Sequence, residues 1–356
     1  MLIATIVGNR PQFVKAAAVS RKLRKAHREL LIHTGQHYDD ELSRVFFDEL
    51  GIPAPDRQLD IHGGSNTEQT ARMLTALGPL LAEVDPGLVL VYGDTNSTLA
   101  GALAASQMRI PLAHVEAGMR SFDRSMPEEL NRVLADHVSD LLFCSTQTAV
   151  DNLAAENVSE GVHLVGDVMA DVALAFLPVA EERSTALEDN RVERGEYVLM
   201  TVHRAGNVDP RDRLERVVEL AERLPLPAVF PVHPRTRARL RAAGLDQRLE
   251  AAVKVTPPLG YLDFLKLAHH ARAVLTDSGG VQKEAYLMAT PCVTLRDTTE
   301  WVETVELGWN VLVDLDVGAA LTALERPLPS QDRPELYGGG RAAERICDVL
   351  GAYTGR

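Results

Sequence analysis

Short runs of apolar, β-branched residues alternate with longer stretches of helical period along almost all of the 356 residues. A helix between two strands carries the chain back to the same edge of the sheet, so the two strands run parallel. The alternation therefore predicts doubly wound α/β architecture, in which helices cover both faces of parallel sheets. The predicted strands are Leu2–Val7, Leu30–Thr34, Leu88–Tyr92, Leu112–Val115, Leu141–Cys144, Val162–Val165, Tyr197–Val202, Ala228–Pro231, Val253–Thr256, Ala273–Thr276 and Cys292–Leu295. The predicted helices include Gln12–Arg28, Asn66–Leu81, Asn96–Gln107, Pro127–His137, Leu214–Arg223 and Val281–Met288.

The alternation is interrupted between Pro178 and Gly195, where a charged stretch shows no strand pattern. A chain of this length is long enough for two domains, each with its own core. We therefore predict two Rossmann-like domains, residues 1–177 and 178–340, that face each other across a cleft. A last helical segment within 341–356 has no strand after it, and we expect it to pack back across that cleft.

Charge and cysteine content exclude several classes of protein. Lysine and arginine number 37 against 50 acidic residues, giving a formal net charge of −13. This charge argues against nucleic acid or an anionic membrane as the main partner, although a local basic pocket can still bind an anionic substrate. The cysteines are widely spaced and form no CxxC pair, which excludes a disulfide framework and a thiolate zinc site. No apolar run approaches the ~20 residues of a membrane span, so we expect a cytoplasmic protein.

Charged side chains follow the predicted strands of the first half. The turn after the first strand contains Arg10 and leads into a helix that carries Lys15, an arrangement that favours anions at the helix N-terminus. A plain turn with solvated cations is the competing interpretation. Asp94 follows the third predicted strand and could equally be a helix N-cap. Glu116 follows the next strand directly.

The segment after Glu116 opens a helix with Glu128 in its first turn. Glu128 and Arg132 are spaced i, i+4, so a surface ion pair is the bland alternative to a role in chemistry. The three carboxylates Asp94, Glu116 and Glu128 nevertheless all fall at strand ends or helix starts of one half. In doubly wound folds this is the edge where ligands bind.

The second half has the same organisation. Its strands lead to His203, to His233, and to the run Asp277-Ser278-Gly279-Gly280 that opens a helix carrying Glu284. A strand, a Ser-Gly-Gly turn and a helix form a cradle of backbone amides suited to phosphate. The sequence thus predicts a nucleotide diphosphate ligand held between two anion-binding halves.

Other motifs are missing or misplaced. The chain contains neither the G-x-G-x-x-G dinucleotide fingerprint nor a Walker phosphate loop. Asp-Ser-Gly-Gly also surrounds the nucleophile of chymotrypsin-like proteases, but those are all-β proteins and here the run lies between a strand and a helix. No metal site is predicted, because Gly35 separates His33 from His37 and the adjacent His269 and His270 are expected to point apart on a helix.

The chain resembles the non-hydrolysing UDP-N-acetylglucosamine 2-epimerases over nearly its whole length. The resemblance rests on ordered blocks with matching gaps: GNRPQFVKAA, TGQHYD, VYGDTNSTLA, HVEAGMRSFDRSMPEELNR, VGDVM, TVHR, PVHPRTR, TDSGGVQKEA and CVTLRDTTEW. It implies the glycosyltransferase-B architecture and a homodimer. It also implies interconversion of UDP-N-acetylglucosamine and UDP-N-acetylmannosamine without NAD, metal or another cofactor.

The resemblance also implies roles for the residues at the strand ends. The C2 proton of the sugar is barely acidic until UDP departs from C1, so catalysis must stabilise the diphosphate and supply acid/base groups to both faces of C2. We expect Asp94, Glu116 and Glu128 to transfer protons, Arg132 to orient Glu128, and His203 to assist the leaving UDP. The expected substrate-binding residues are Arg10, Lys15, His233, Ser278, Gly279, Gly280 and Glu284, with the loop Pro257–Tyr261 at the uracil.

The chain departs from the family pattern in three places. Many bacterial members have His-Arg-Arg-Glu-Asn where this chain has His203-Arg204-Ala205-Gly206-Asn207, and Trp301 replaces an arginine of the cleft. The bacterial regulatory site for a second substrate molecule uses a Gln-His-Arg run and an Arg-Gln pair. Here Tyr38 follows His37, and Ser65-Asn66 stand in place of the pair, so we predict weak or absent activation by substrate.

Several alternative functions stay open from the sequence. The same blocks resemble enzymes that epimerise UDP-2,3-diacetamido-2,3-dideoxyglucuronate at C2. A glycosyltransferase of the same architecture would also use the second-half cradle for UDP, but it would not require three converging carboxylates. A hydrolysing epimerase would release free sugar, and a pure binding module would exchange no proton at C2.

Overall fold

The computed structural model describes residues 1–36, 54–329 and 333–354. The chain divides into two compact units, one formed by Met1–Val172 with Glu335–Arg356 and the other by Ala173–Pro334. The boundaries predicted from the sequence are residues 177 and 340. The chain leaves the first unit within a helix that runs from Val168 to Arg183, through the stretch around Pro178 where a linker is predicted.

The first unit contains a parallel sheet with the strand order β3-β2-β1-β4-β5-β6-β7. Its strands are β1 (Leu2–Val7), β2 (Arg28–His33), β3 (Arg57–Gln58), β4 (Leu88–Tyr92), β5 (Leu112–Ala117), β6 (Leu141–Cys144) and β7 (Val162–Leu164). Its helices are α1 (Arg10–Ala26), α2 (Asn66–Val84), α3 (Asn96–Gln107), α4 (Pro127–His137), α5 (Gln147–Ala155) and the start of α6 (Val168–Arg183). β1 pairs in parallel with β2 on one side and with β4 on the other, so the chain changes direction across the sheet between β1 and β4.

The second unit repeats this plan with the strand order β10-β9-β8-β11-β12-β13. Its strands are β8 (Val198–Thr201), β9 (Ala228–Pro231), β10 (Lys254–Thr256), β11 (Ala273–Thr276), β12 (Cys292–Thr294) and β13 (Asn310–Leu312). Its helices after α6 are α7 (Ala186–Asn190), α8 (Ala205–Val208), α9 (Arg211–Glu222), α10 (Pro234–Ala243), α11 (Asp246–Ala252), α12 (Tyr261–His270), α13 (Gly279–Leu287), α14 (Val302–Glu306) and α15 (Val317–Leu324). The strands of this sheet pair in parallel, and the corresponding change of direction lies between β8 and β11.

The predicted architecture of two parallel sheets with alternating helices is confirmed. The central strands are buried along their length, as the continuous apolar runs require when helices cover both faces of a sheet. The short strands β3 and β13 were not predicted, because two or three residues carry too little periodicity to be recognised.

Helix α16 (Ala342–Ala352) belongs to the first unit, where it packs against α1. The Asp171 carboxylate accepts the backbone N–H groups of Ala342 and Ala343 at 2.9 and 2.8 Å. A carboxylate at this position satisfies orphan donors of the first helical turn and opposes the helix dipole. Within the described residues, the structure contains no helix that is both long and apolar enough to cross a bilayer.

Gly8 allows close packing between β1 and α3. A Cβ atom at Gly8 would lie 1.8 Å from Ser97 Oγ and 2.5 Å from Thr34 Oγ1. The side chain of Gln12 links Gly8 to the end of β4. Its amide nitrogen donates to the Tyr92 carbonyl at 2.6 Å, and its oxygen accepts the Gly8 N–H at 2.7 Å. The turn after β1 is therefore held against the turn after β4.

Candidate functional site

Helix α4 carries three charged side chains that are buried in the first unit. Glu129, Arg132 and Asp136 are buried, and their spacing of three and four residues places them on one helix face. Arg132 contacts the carboxylate of Asp94 through Nη2 and donates from Nη1 to Glu129 at 3.1 Å. Asp94 is not the cap of α3, because Thr95 occupies that position. Asp94 is thus a carboxylate held by a buried guanidinium at the carboxyl end of β4.

Glu116, near the end of β5, forms an ion pair with Lys15 of helix α1. Glu116 has a φ of 72°, and the β5–β6 register shifts between Val115 and Ala117, so the strand bulges at this carboxylate. Bulges and left-handed residues of this kind often re-aim a side chain beside a functional site. Burial opposes the charge on Lys15, but Glu116 outweighs it and raises the pKa of the ammonium, with smaller contributions from Asp167 and Asp94.

The two carboxylates flank the turn at Gly93. A Cβ atom at this glycine would lie 3.3 Å from Glu116 Oε2 and 3.4 Å from Lys15 Nζ, and its φ is +62°. Asp94 is the next residue in the chain. The structure therefore brings Lys15, Asp94, Glu116 and Arg132 together at the carboxyl ends of β4 and β5, beside the point where the strand order changes direction, the usual location of a ligand in such a sheet.

Glu128 is exposed in the first turn of α4, whereas its neighbour Glu129 is buried. Glu129 accepts hydrogen bonds from the backbone amides of Ser121 and Phe122, each at 2.9 Å, and so fixes the loop before α4. The expected roles of Glu128 as a proton-transfer group and of Arg132 in orienting it stay predictions. The side chain of Arg10 lies outside the part of the chain that is described.

The predicted regulatory residues are only partly described, since His37 and Tyr38 lie outside the described ranges. The side-chain oxygen of Gln36 accepts from the backbone amide and the hydroxyl of Ser97, at 3.1 and 2.7 Å. Ser65 caps α2 through a capping box with Glu68. These contacts give Gln36 and Ser65 structural roles within the first unit.

In the second unit, Asp277 organises the turn that carries His203. Asp277 is fully buried after β11 and accepts the backbone amides of His203 at 3.1 Å and Arg204 at 2.9 Å, together with the Asn207 side-chain amide at 3.1 Å. The Nδ1 atom of His203 lies 3.4 Å from the same carboxylate. Because β8 and β11 are neighbours where the strand order reverses, this pair lies at the edge where doubly wound sheets usually bind ligands.

The Ser278-Gly279-Gly280 turn opens α13 beside His203. A Cβ atom at Gly280 would have no neighbouring atom of the described chain within 4 Å, so the helix N-terminus is open at this point. At Gly279, a Cβ atom would lie 3.5 Å from Glu300 Oε2 and 3.7 Å from Trp301 Nε1. An open N-terminus with a glycine backbone matches the predicted anion cradle.

A buried ion pair lies next to the Ser278-Gly279-Gly280 turn. Arg296 binds Glu300 in a bidentate manner, with N–O distances of 2.9 and 3.0 Å, and Arg204 lies 4.0 Å from the same carboxylate. Burial opposes the charge on Glu300, yet the Arg296 guanidinium outweighs it and lowers the pKa of this carboxyl. Trp301 is buried, and the Lys283 ammonium lies 4.3 Å from the centre of its ring. Trp301, which replaces the family arginine, is therefore packed next to the turn at Gly279.

The remaining predicted substrate-binding residues lie in the second unit. His233 is exposed at the N-cap of α10, and its ring centre is 6.0 Å from that of His203. Glu284 is buried on α13. The loop Pro257–Tyr261 follows β10, the edge strand on the same side of the sheet as β9, and leads into α12.

The expectation that His269 and His270 point apart is wrong. Their ring centres are 4.6 Å apart, and they form with Glu181 a half-buried group whose ligand-type atoms all lie within 4.8 Å. The cluster is bound internally, because Glu181 contacts His270 Nε2 at 2.7 Å and Arg194 at 3.2 Å, while His269 Nδ1 lies 3.2 Å from the Met288 carbonyl. Bending of the side chains towards Glu181 at the end of α12 accounts for the difference.

Sequence reasoning missed the residues that support the predicted groups. Asp277 and Glu300 lie within blocks of sequence that resemble the family but were not assigned roles, because their roles depend on contacts with distant segments. A helical reading of α4 could have found Asp136, since it continues the spacing of Glu129 and Arg132. Asp167, which is buried and acts electrostatically on Lys15, gave no local signal.

Comparison with known proteins identifies the family. The sequence model of the UDP-N-acetylglucosamine 2-epimerase family matches residues 21–351. The chain is 47% identical over 354 residues to a UDP-N-acetylglucosamine 2-epimerase homolog of Methanococcus maripaludis, covering 98% of this chain and 99% of the relative. It is 48% identical over 362 residues to the UDP-2,3-diacetamido-2,3-dideoxy-D-glucuronate 2-epimerase of Pseudomonas aeruginosa, with the same coverage of 98% and 99%. A crystal structure of the Methanocaldococcus jannaschii UDP-GlcNAc 2-epimerase in complex with UDP-GlcNAc and UDP superposes with a TM-score of 0.92 at 41% identity, covering 99% of this chain and all of that one. The chain therefore belongs to the UDP-N-acetylglucosamine 2-epimerase family.

Proposed function

We propose that this protein interconverts UDP-N-acetylglucosamine and UDP-N-acetylmannosamine. The observation that carries the proposal is the pairing of Asp94 with Arg132 and of Glu116 with Lys15 at one sheet edge. This arrangement places two carboxylates side by side at the sheet edge, and a positioned carboxylate can take up or donate the C2 proton as a general base or acid. The relative from Methanocaldococcus jannaschii was crystallised with UDP-GlcNAc and UDP, which supports the substrate class.

The proposed reaction proceeds by elimination and re-addition. The bond between C1 and the diphosphate oxygen breaks, and UDP leaves with the electron pair. A carboxylate of the first unit removes the C2 proton, which gives 2-acetamidoglucal. Protonation at the opposite face of C2 and attack of the UDP oxygen at C1 complete the inversion. UDP is released and consumed again, so the reaction is balanced without an external reactant.

The described residues divide this work between the two units. In the second unit, the amides of the Ser278-Gly280 turn and the His203 side chain stabilise the departing diphosphate, and Asp277 fixes the orientation of His203. In the first unit, Asp94, Glu116 and Glu128 are the candidates for proton transfer at C2. We further propose that Glu284 accepts hydrogen bonds from the ribose hydroxyls.

The test is solvent deuterium exchange at C2 of UDP-N-acetylglucosamine, followed by NMR. We expect deuterium to enter C2 with the wild-type enzyme and the mannosamine epimer to appear. Glu116→Gln should suppress exchange, while Glu83→Gln, which alters an exposed carboxylate of α2, should not. Wild-type protein without exchange would refute the proposal for this sugar, and full exchange in Glu116→Gln would remove Glu116 from the mechanism.

A second candidate substrate is UDP-2,3-diacetamido-2,3-dideoxyglucuronate. The relative that is named for this substrate is 48% identical to the chain. Gly206 favours it as well, since this position is exposed and a Cβ atom there would meet open space, next to the half-buried Arg204. An acidic side chain at Gly206 would repel a sugar carboxylate that Arg204 attracts. Rates with both sugars, measured for the wild type and for Gly206→Glu, separate the two: a uronate epimerase should lose kcat/KM selectively for the uronate.

We also propose a homodimer, as the family resemblance implies. Light scattering after size-exclusion chromatography tests this directly. A mass near twice 38.9 kDa would support the dimer, and a mass of 38.9 kDa at assay concentration would contradict it.

A further inference from the structure

His114 is a fully buried histidine behind the proposed acid/base groups, and its ring lies between two oxygen acceptors. The Nε2 atom is 2.7 Å from the Gly93 carbonyl oxygen, and the Nδ1 atom is 2.7 Å from Asp136 Oδ1. A carbonyl can only accept, so Nε2 carries a proton. An ionised carboxylate can also only accept, so Nδ1 carries the second proton and the ring is an imidazolium.

The surroundings of Asp136 keep its carboxylate ionised. Arg120 donates to Asp136 Oδ2 at 2.7 Å, and the Gly118 amide donates to the same oxygen at 3.1 Å. Two donors on one oxygen leave no place for a carboxyl proton there, and Oδ1 faces the histidine. Arg120 also binds Glu156 in a bidentate manner, at 2.7 and 2.8 Å. Burial opposes the charge on Arg120, but the two carboxylate partners outweigh it and raise the pKa of the guanidinium.

The pair of His114 and Asp136 touches both turns that carry the acid/base residues. His114 binds the carbonyl of Gly93, which directly precedes Asp94. Asp136 binds the amide of Gly118, two residues after Glu116. Gly118 also packs closely against α5, because a Cβ atom there would lie 2.2 Å from the Ala149 carbonyl oxygen. The pair is thus a rigid link between the ends of β4 and β5.

We propose that His114 is a positioning residue, which acts as a buried imidazolium with Asp136 as its counter-ion. Together they fix the spacing of Asp94 and Glu116 around C2 of the sugar. This inference rests on the proposed epimerase function and adds to it a pair that does not touch the substrate. The pair fixes the backbone of both turns, whereas Arg132 and Lys15 hold the two carboxylates themselves.

Three variants test the positioning role. Glutamine at position 114 places an amide donor near the position of Nε2 and can keep the bond to Gly93, whereas phenylalanine keeps the bulk and loses both bonds. A misplacement of about 1 Å in a catalytic group can cost about 10²-fold in rate. We therefore expect His114→Phe to lower kcat by about 10²-fold, His114→Gln to recover at least about tenfold of that loss, and Asp136→Asn to behave like His114→Phe. KM for the UDP-sugar should change little in all three.

His163→Phe is the matched control, because His163 is a half-buried histidine of the same unit that packs against Phe143 on the neighbouring strand. Circular dichroism establishes that each variant is folded. Wild-type kcat in both His114→Phe and Asp136→Asn would overturn the proposal, and so would a loss of kcat in His114→Gln equal to that in His114→Phe. An inactive wild type would instead refute the proposed function.

A spectroscopic measurement does not depend on activity. In protein labelled with ¹⁵N-histidine, the ring signals of His114 are identified by their loss in His114→Gln. Both ring nitrogens should show the protonated shift in the folded wild type at the assay pH. One unprotonated ring nitrogen would overturn the imidazolium assignment, even if His114→Phe fails to fold.

Discussion

Replacing Lys15 with methionine removes the cation that Glu116 contacts while keeping an unbranched side chain of similar length. Both side chains are largely buried, with 12% and 15% of their surfaces exposed. Glu116 would then keep its buried position without a neighbouring positive charge on α1. We expect its proton-accepting form to become less stable, so that deuterium exchange at C2 requires a higher pH.

The magnitude follows from the charge that is removed. Two unit charges about 4 Å apart interact by about 4 kcal/mol at the effective dielectric constant of ~20 that suits sites near a protein surface. Part of this interaction energy is offset by the cost of removing the two charges from water. In total, an adjacent opposite charge typically lowers a carboxyl pKa by about 1–3 units. The acidic limb of the pH–rate profile should therefore move up by about one to three pH units in Lys15→Met.

Titration of Lys15 itself cannot mimic this effect. The pKa of Lys15 is raised above its ordinary value of 10.5, so its charge and its contribution to stability are present below that pH and are lost only as the pH rises further. The acidic limb lies far below this window. Any shift of that limb therefore reports the loss of the cation from Glu116.

The assay measures deuterium incorporation at C2 across the acidic pH range for the wild type, Lys15→Met and Lys22→Met. Lys22 lies on the same helix, is half-buried, and pairs with Glu344 at 3.6 Å, away from Glu116, so its loss should leave the profile unchanged. An unshifted acidic limb in Lys15→Met, with the protein folded, would refute the view that this ion pair sets the proton-transfer chemistry.

Three further predictions concern the second unit. Asp277→Asn should lower kcat and reduce the free energy of unfolding by about 1–3 kcal/mol, because the buried amides of His203 and Arg204 lose a charged acceptor; enzyme assays and urea unfolding measure both effects. Gly280→Ala should leave the melting temperature unchanged, since the added Cβ meets open space, but should weaken UDP binding in calorimetry; equal affinity would show that the cradle does not hold UDP. Glu300→Gln should destabilise the protein by about 3–5 kcal/mol at neutral pH, because the buried guanidinium opposite loses its counter-ion. Because the pKa of Glu300 is lowered, the stabilisation that its ionised form provides is present above pH 4.5 and is lost as the pH falls through the pKa of the folded protein. The difference in free energy of unfolding between this variant and the wild type should therefore disappear in acid. A difference that stays constant would contradict the ion pair.

The sequence predicted the ends of those helices whose boundaries are set by residues close by in the chain. The predicted helices Asn96–Gln107 and Pro127–His137 agree with α3 and α4 at both ends. The first begins after a Thr cap and the second begins with a proline, and both signals act within one turn. The strands were recognised because a parallel sheet that is covered on both faces requires continuous apolar runs.

The candidate site was predictable only in part for the same reason. Sequence placed Asp94, Glu116 and His203 at strand ends, and the sheet order brought those ends to one edge in each unit. It did not predict which charges would pair. Asp94 could equally have capped a helix, and the contact between Arg132 and Asp94 was not predicted.

The sequence by itself thus determined the alternation of elements, the placement of the candidate site residues at strand ends, and the family to which the chain belongs. Tertiary structure alone decided the electrostatic pairs, because their members are far apart in the chain: Lys15 and Glu116 are separated by 101 positions, and His203 and Asp277 by 74. Hydrophobic periodicity and capping act over a few residues and can therefore be recognised in the sequence. The environment of a buried charge is set by whichever side chains the folded sheet brings beside it, and no local pattern records them.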